Sequence, residues 1–501
     1  MSPSSPQIDE ENSVTLVLRS VRLVGGGDLP MDVVVEGDRI AGIVPAGQAP
    51  TDDAEAIDLA GRWVMPGLAD NHAHFTTWAH HLARLDVSGT REPEEAAERV
   101  REALSASPPS EATFVGRGFQ DALWSREATG TMLDDAAGDA GHAGRPVVLY
   151  AHDLHTVWIN AAAAERFGAP HAGLVREAPA FAIEKAADLE ASARDDEVVA
   201  AALAAAAARG VTRVSDMHMA DNPLVWQGRF ARGMDSVRIV ANVYLEHLGV
   251  AAGRGQRTGD VVPGTAGMVT VGSLKLISDG ALNSGTALCH DADLNGSHGH
   301  AEYTEEELHR ILRDADAAGF TIALHAIGDL AVARALDAFE ATGARGTIEH
   351  AQLVADEDLA RFAELGVIAA VHPEHLLDDR DVTDRLWAGR TRRAFPYRAL
   401  QEAGATLTFG SDAPVAPLDP WLAIAAAVFR TRDGREPWEI DNALDVRTAL
   451  EASWVAPELE VGGAADLVVT DVDPFVADVE TMRAMPVALT VCAGRVTYQA
   501  S

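Results

Sequence analysis

The sequence predicts an α/β protein built on a (β/α)8 barrel of the TIM type, with a small β-sandwich from the two termini and a subdomain inserted after the first barrel strand. Three observations carry this. Eight short apolar runs alternate with Ala/Glu/Arg-rich stretches of helical period. The polar residues capable of chemistry fall at or near the carboxyl ends of those runs, where a barrel of this type builds its active site. The termini, by contrast, alternate strand with turn rather than strand with helix.

At 501 residues the chain exceeds the roughly 250 of one barrel and leaves room for accessory pieces. Hydrophobic residues at 47% and charged residues at 23% are enough to bury a large core and keep it soluble. The net charge of −36 repels phosphate backbones and anionic lipid, so a small-molecule substrate is expected rather than a nucleic-acid or membrane partner. Cys289 and Cys492 cannot make a disulfide framework, and the opening MSPSSPQIDEENSV lacks the apolar core of a secretory signal. The longest apolar stretch, 198–208, is too short to cross a bilayer. A cytoplasmic protein is expected.

In chain order, VTLVLRSVRLV and MDVVVEGDRIAGIVPAG read as strands with a hairpin turn, and ADLVVTDVDP and PVALTVCAGRVTYQ read the same way near the other end. Each end is too small to bury a core alone, so residues 1–64 and 459–501 are predicted to pack together as the sandwich. An exposed sandwich edge would make a homodimer plausible. The barrel, predicted over 65–458, takes its strands from runs at 63–75, 210–218, 237–246, 273–280, 320–329, 346–354, 366–374 and 405–414. Helices such as TEEELHRILRDADAAG and DEDLARFAELG intervene, each closed by a Gly. Residues 76–209 are far too long for a loop and are predicted to be the inserted subdomain.

The first run ends in Asn71-His72-Ala73-His74. Residues two apart on a strand share a face, so His72 and His74 can reach one metal ion, although His-x-His is common in a chain with 18 histidines. Lys275 lies among Leu274, Leu276 and Ile277, where a bare ammonium is costly. All 40 basic residues are arginine except Lys185 and Lys275, and arginine makes the better buried ion pair. Lysine alone offers a neutral amine that can take up CO2 as a carbamate and bridge two metal ions; the plainer reading is a lysine paired with an acid such as Asp279. His325 and His350 each end an apolar run and supply two more imidazoles, though each alone could be a core histidine. Asp412, in FGSDAP, could touch both a metal and a water, or merely cap the next helix.

The motifs PGLADNHAHF, GVTRVSDM, LKLISDGAL, LHAIGD, IEHAQLV and SDAPVAPLDP, in this order over nearly the whole chain, resemble the amidohydrolase superfamily. Within it they are similar to the amidohydrolase-3 group, which includes N-substituted formamide deformylases. The resemblance implies a binuclear centre: His72, His74 and Asp412 on one divalent ion, His325 and His350 on the other, and carboxylated Lys275 between them. Two zinc ions are expected, with manganese or iron also compatible. It implies a hydrolase cleaving a C–N bond in an amide, formamide or cyclic amide by metal-activated hydroxide, with Asp412 shuttling the proton to the leaving nitrogen. His155 and Asn160 of HDLHTVWIN and Glu177 of GLVREAP match motifs of the same group and are expected near the substrate, as are Asp279 and His218.

Alternatives stay open at this point. Glu177 as a ligand would leave Lys275 an ordinary lysine, and Asp329 could orient an imidazole. Gly285 stands where the family usually has Arg, and His372 of His372-Pro373-Glu374-His375 stands where Gln is commoner. Rival functions are a mononuclear deaminase using the paired histidines, His325 and Asp412, and an ester or lactone hydrolase on the same site. A scaffold without catalysis is disfavoured because all six expected ligands are present.

Overall fold

The computed structural model describes residues 15–501 except 51–53, 109, 122–123, 152–155, 177, 192–194, 283–284 and 295. Two units emerge from the pattern of contacts: residues up to Phe75 together with Leu203–Ser501, and Thr76–Ala202.

Five strands open the first unit: β1 (Thr15–Leu23), β2 (Met31–Glu36), β3 (Arg39–Pro45), β4 (Ala54–Asp58) and β5 (Trp63–Pro66). The first barrel strand, β6 (Leu68–Ala73), follows. The second unit holds β7 (Leu85–Asp86), β8 (Phe114–Phe119), β9 (Val147–Ala151), β10 (Thr156–Ile159) and β11 (Gly173–Arg176). The barrel resumes with β12 (Val211–Asp216), β13 (Arg238–Tyr244), β14 (Val269–Ile277), β15 (Ile322–Ala326), β16 (Gly346–His350), β17 (Ile368–Val371) and β18 (Leu407–Phe409). The chain ends with β19 (Leu467–Thr470), β20 (Val487–Cys492) and β21 (Arg495–Gln499).

The terminal strands form one sheet in the order β21-β20-β19-β5-β1-β2-β3, with β4 also on β1. β1 serves both arms of this sheet. Its first half pairs with β2 and β4, and its end, Arg22 and Leu23, pairs with β5. A register shift between Leu18 and Val21, with Ser20 at φ 56°, turns the strand between the two. The bent sheet buries Leu18, Val33 and Val64 with Leu467, Leu489 and Val491 in a shared core, which is how two ends too small to fold alone become stable.

The eight barrel strands are all parallel, in the order β6-β12-β13-β14-β15-β16-β17-β18. Between β18 and β6 the ladder is short: Ala73 bridges Ala413, the Asp412 amide donates to the His72 oxygen at 2.7 Å, and the His74 amide donates to the Ala413 oxygen at 2.8 Å. The barrel is thus nearly closed. The run at 63–75 splits at Gly67, with β5 in the terminal sheet and β6 in the barrel; a Cβ at Gly67 would fall 2.2 Å from Thr212 Oγ1. Alternation places Leu274 and Leu276, Leu324 and Ile348 on the face opposite Lys275, His325 and Glu349. All four are buried, each contributing about 1.5–3 kcal/mol.

Helix Glu305–Ala317 shows how the intervening segments follow from sequence. Thr304 and Glu307 form a capping box, and Leu308, Ile311, Leu312 and Ala315 make the buried stripe. Helix Leu359–Leu365 stops at Gly366, whose φ of 66° suits glycine. The second unit has its own sheet, β11-β10-β9-β8-β7, and a core around Phe119, Trp124, Leu133, Leu149 and Trp158. Its limit falls inside helix Asp195–Ala208, not at residue 209. Among the described residues no helix is long and apolar enough to cross a membrane.

At Gly346 a Cβ would sit 1.9 Å from the Ile322 oxygen on the neighbouring strand. Gly346→Ala is expected to lower the thermal unfolding midpoint through a loss of about 1–3 kcal/mol or more. Gly138→Ala, on a helix with nothing within 4 Å of the added carbon, should leave the midpoint unchanged or raise it.

Candidate metal centre

The barrel register brings the carboxyl ends of distant runs to one place. Lys275 on β14 pairs with Ala323 of β15, so His325 lies one layer further along the same face, level with Glu349 of β16. Regular alternation would then send His350 to the opposite face. It does not continue: His350 has φ 74°, and its ring comes within 5.3 Å of the His72 ring and 4.4 Å of the His325 ring, centroid to centroid. Asp412, three residues beyond β18, is also left-handed at φ 55°. Such backbone costs on the order of 1–3 kcal/mol per residue and gathers at functional sites.

His72 is the hub. Its Nδ1 lies 2.6 Å from Glu349 Oε2, a bond that fixes the ring, while its Nε2 is 3.2 Å from Lys275 Nζ and 3.5 Å from Asp412 Oδ1. The same Asp412 oxygen is 3.6 Å from His74 Nε2, and its Oδ2 is 3.9 Å from His375 Nε2. Ligand atoms of His72, His74 and Asp412 lie within 4.8 Å of one another, as do those of His350, His375 and Asp412 and those of His72, His350 and His372. Asp70 secures the backbone beneath, accepting the amides of His72 and Ser411 at 3.1 and 3.0 Å. Asp216 does the same on β12, holding the amides of Phe75 and His218 and the Trp226 indole.

Burial dominates the electrostatics. It lowers His72, His350 and His372 well below the usual imidazole range, and repulsion from neighbouring cationic groups adds to it. Lys275 is lowered by burial against the opposing pull of Glu349 and Asp412. Asp70 is pushed up to about 6, chiefly by burial. Burial would raise Asp412 too, but His72, His375, His74 and Lys275 outweigh it and hold this carboxyl below its ordinary value. The result is a set of buried nitrogen donors whose charged forms are disfavoured, gathered around one carboxylate. His350 Nδ1, His372 Nε2 and His375 Nε2 are buried without a hydrogen-bond partner among the described residues. Buried, unpartnered imidazole nitrogens beside a carboxylate suit a divalent cation.

Of the six expected ligands, His72, His74, Lys275, His350 and Asp412 come together. His325 is beside His350, but its Nε2 faces the Gly280 oxygen at 3.2 Å and Asp279 Oδ1 at 3.4 Å, and it stands outside the three donor groups. Asp279 does not pair with Lys275. Its side chain is fully buried, accepts the amides of Leu288, Ile327 and Gly328, and faces His325. Asp329 orients no ligand; it accepts the His290 amide and lies 3.5 Å from His290 Nδ1. Asn160 is fully buried and caps helix Ala161–Phe167, its oxygen accepting from Val147 and Ala163 and its nitrogen donating to the Arg145 oxygen. That capping role takes up the polar atoms expected to face a substrate. His218 is half-buried just past β12. His155 and Glu177 lie outside the described residues.

Sequence reasoning missed Glu349 and Asp70, and it treated His372 and His375 only as a departure from a pattern. The signal for Glu349 was present: an acid inside an apolar run, immediately before a candidate ligand.

Glu349→Gln keeps the shape of the clamp on His72 but weakens it. Metal affinity, measured by competition with a chromogenic chelator, is expected to fall about 10–100-fold; an unchanged affinity would remove Glu349 from this role.

Residues 55–498 match the model of the Amidohydrolase family. The chain is 26% identical to YtcJ of Bacillus subtilis (strain 168) over 492 residues, covering 90% of this chain and 91% of that one. It is 24% identical to the N-substituted formamide deformylase of Arthrobacter pascens over 524 residues, covering 93% and 94%. The crystal structure of an uncharacterized metal-dependent hydrolase from Pyrococcus horikoshii OT3 superposes with a TM-score of 0.76 at 25% identity, over 93% of this chain and 99% of that one. With the match running through the barrel and into the strands of the terminal sheet, the chain belongs to the amidohydrolase family and is a hydrolase of carbon–nitrogen bonds other than peptide bonds.

Proposed function

We propose that this enzyme hydrolyses the C–N bond of a small amide, formamide or cyclic amide, with Asp412 carrying the proton. The observation behind this is the meeting of His72, His74, His350, Lys275 and Asp412 around buried, unpartnered imidazole nitrogens. The likeness to the Arthrobacter pascens N-substituted formamide deformylase supports a formamide among the substrates.

The donors that would hold divalent cations are His72 and His74 with Asp412 on one side and His350 on the other, with Lys275 against His72 and His325 beside His350 but turned to Gly280 and Asp279. Bound there, zinc, or manganese or iron, would supply Lewis acidity to a carbonyl and to water. The remaining steps belong to the chain. Asp412 starts as a carboxylate, since its neighbours hold it below the ordinary range, and so can accept a proton from the attacking water. As the C–N bond breaks, that proton passes from the Asp412 oxygen to the departing nitrogen, leaving a free amine and a carboxylate product. Glu349 keeps the His72 ring in one orientation throughout. Lys275 is 3% exposed and lowered by burial, which favours the amine form that takes up CO2 with loss of a proton to give a carbamate able to bridge two cations.

Three measurements test this. Asp412→Asn should retain bound metal yet lose about 10²–10⁴ in turnover; full activity would take Asp412 out of the reaction. Lys275→Arg should lose one bound ion although the charge is kept, and unaltered metal content would count against the carbamate. Metal-reconstituted enzyme assayed against formamides, N-acyl amines, cyclic imides and lactones should turn over at least one of the nitrogen substrates. Turnover of lactones alone would favour the esterase alternative, and one ion per chain with unmodified Lys275 would favour the mononuclear deaminase.

A further inference from the structure

His372 stands outside the donor set that the family resemblance implies, yet its imidazole is as firmly built in as any in the centre. The residue is 2% exposed. Its Nδ1 lies 3.2 Å from the backbone oxygen of Gly410, an atom that can only accept, so Nδ1 carries the ring proton and Nε2 the lone pair. That Nε2 is buried and has no hydrogen-bond partner among the described residues. The bond to Gly410 leaves no slack: a Cβ at 410 would fall 3.1 Å from His372 Nδ1 and 2.6 Å from the His72 Cβ.

Two further imidazoles face this lone pair. The His372 ring is 4.6 Å from that of His72 and 4.4 Å from that of His350, and ligand atoms of the three lie within 4.8 Å of one another. His350 Nδ1 is likewise buried and unpartnered. With His72 Nδ1 engaged by Glu349, the lone pair that His72 has left is on Nε2. The other two donor groups both include Asp412; this one contains no carboxylate.

We propose that His372 is a metal ligand, joining His72 and His350 in an all-imidazole cation seat at the buried side of the centre. The proposal rests on the reading that the centre binds divalent cations. Because His72 Nε2 serves one ion at a time, this seat is an alternative to the His72–His74–Asp412 seat, and the two differ in chemistry. Three neutral imidazoles without a carboxylate suit copper, nickel and zinc, whereas a seat that includes Asp412 also accommodates manganese, which prefers oxygen. His372 therefore makes the position of the ion depend on which metal is bound.

The test compares apo-enzyme with His372→Gln, which retains an amide able to donate to the Gly410 oxygen. Affinities for Cu²⁺, Zn²⁺ and Mn²⁺ are measured by chelator competition, with circular dichroism to verify folding. The expected result is a loss of about tenfold or more for Cu²⁺ and Zn²⁺, with Mn²⁺ changed less than about threefold. Equal losses for all three ions, or none, would overturn the proposal. Should the variant fail to fold, pulsed electron paramagnetic resonance of Cu²⁺-loaded wild-type enzyme decides the matter: three coordinated imidazoles support the seat, and two or fewer overturn it. If the wild-type protein bound none of these ions, the metal-dependent reading itself would fall, an outcome distinct from the failure of His372 alone.

Discussion

The backbone oxygen of His72 accepts the Asp412 amide and so helps to close the barrel, while its ring, clamped by Glu349, meets both Lys275 and Asp412 at Nε2. Barrel closure and assembly of the centre are therefore one event. If β6 and β18 did not meet, the His-x-His pair would lose the carboxylate that completes it. The supporting bonds follow the same logic: Asp70 bridges His72 and Ser411, and the Asn71 side chain donates to the Phe409 oxygen, so three successive residues of β6 are tied to the segment that carries Asp412.

Such a concentration of ionisable groups is destabilising in the absence of cations. Burial strips water from the imidazoles and the lysine, disfavours their charged forms, and leaves several nitrogens without a hydrogen-bond partner among the described residues. Left-handed backbone at His350 and Asp412 adds to the cost. The stability that tolerates this comes from elsewhere in the unit: the fully buried aliphatic faces of β14 to β16 and the shared core of the terminal sheet. A binding site held in an unfavourable arrangement by a rigid surround is prepared to gain from a cation, because the ligands need not reorganise to receive it.

Much of this was legible beforehand because strand and helix periodicity are local. The eight runs, the Thr304–Glu307 cap, the Gly366 stop and the strand character of both termini follow from neighbours within a few residues of one another. The need for glycine at 67, where the run divides, was not legible, since the neighbour that leaves no room for a Cβ is Thr212, far along the chain. Nor was the bend in β1 that makes one sheet of the termini. Asp279 shows the limit at the site. From sequence it was a partner for Lys275 or a substrate contact, whereas three backbone amides from two other loops claim it.

Residue types and their order along the chain were enough to determine a barrel, its family and the chemical character of most of the centre, because periodicity and ligand chemistry are properties of short segments. Which nitrogen faces which oxygen was decided only by the tertiary structure. Glu349 and His350 are adjacent and would point to opposite faces of an ordinary strand; left-handed backbone at His350 and Ala351 lets both face His72. His372 gains its place because the carbonyl of Gly410, on the neighbouring segment, fixes its proton. Distances between segments hundreds of residues apart depend on strand register and closure, which are collective properties of the whole barrel.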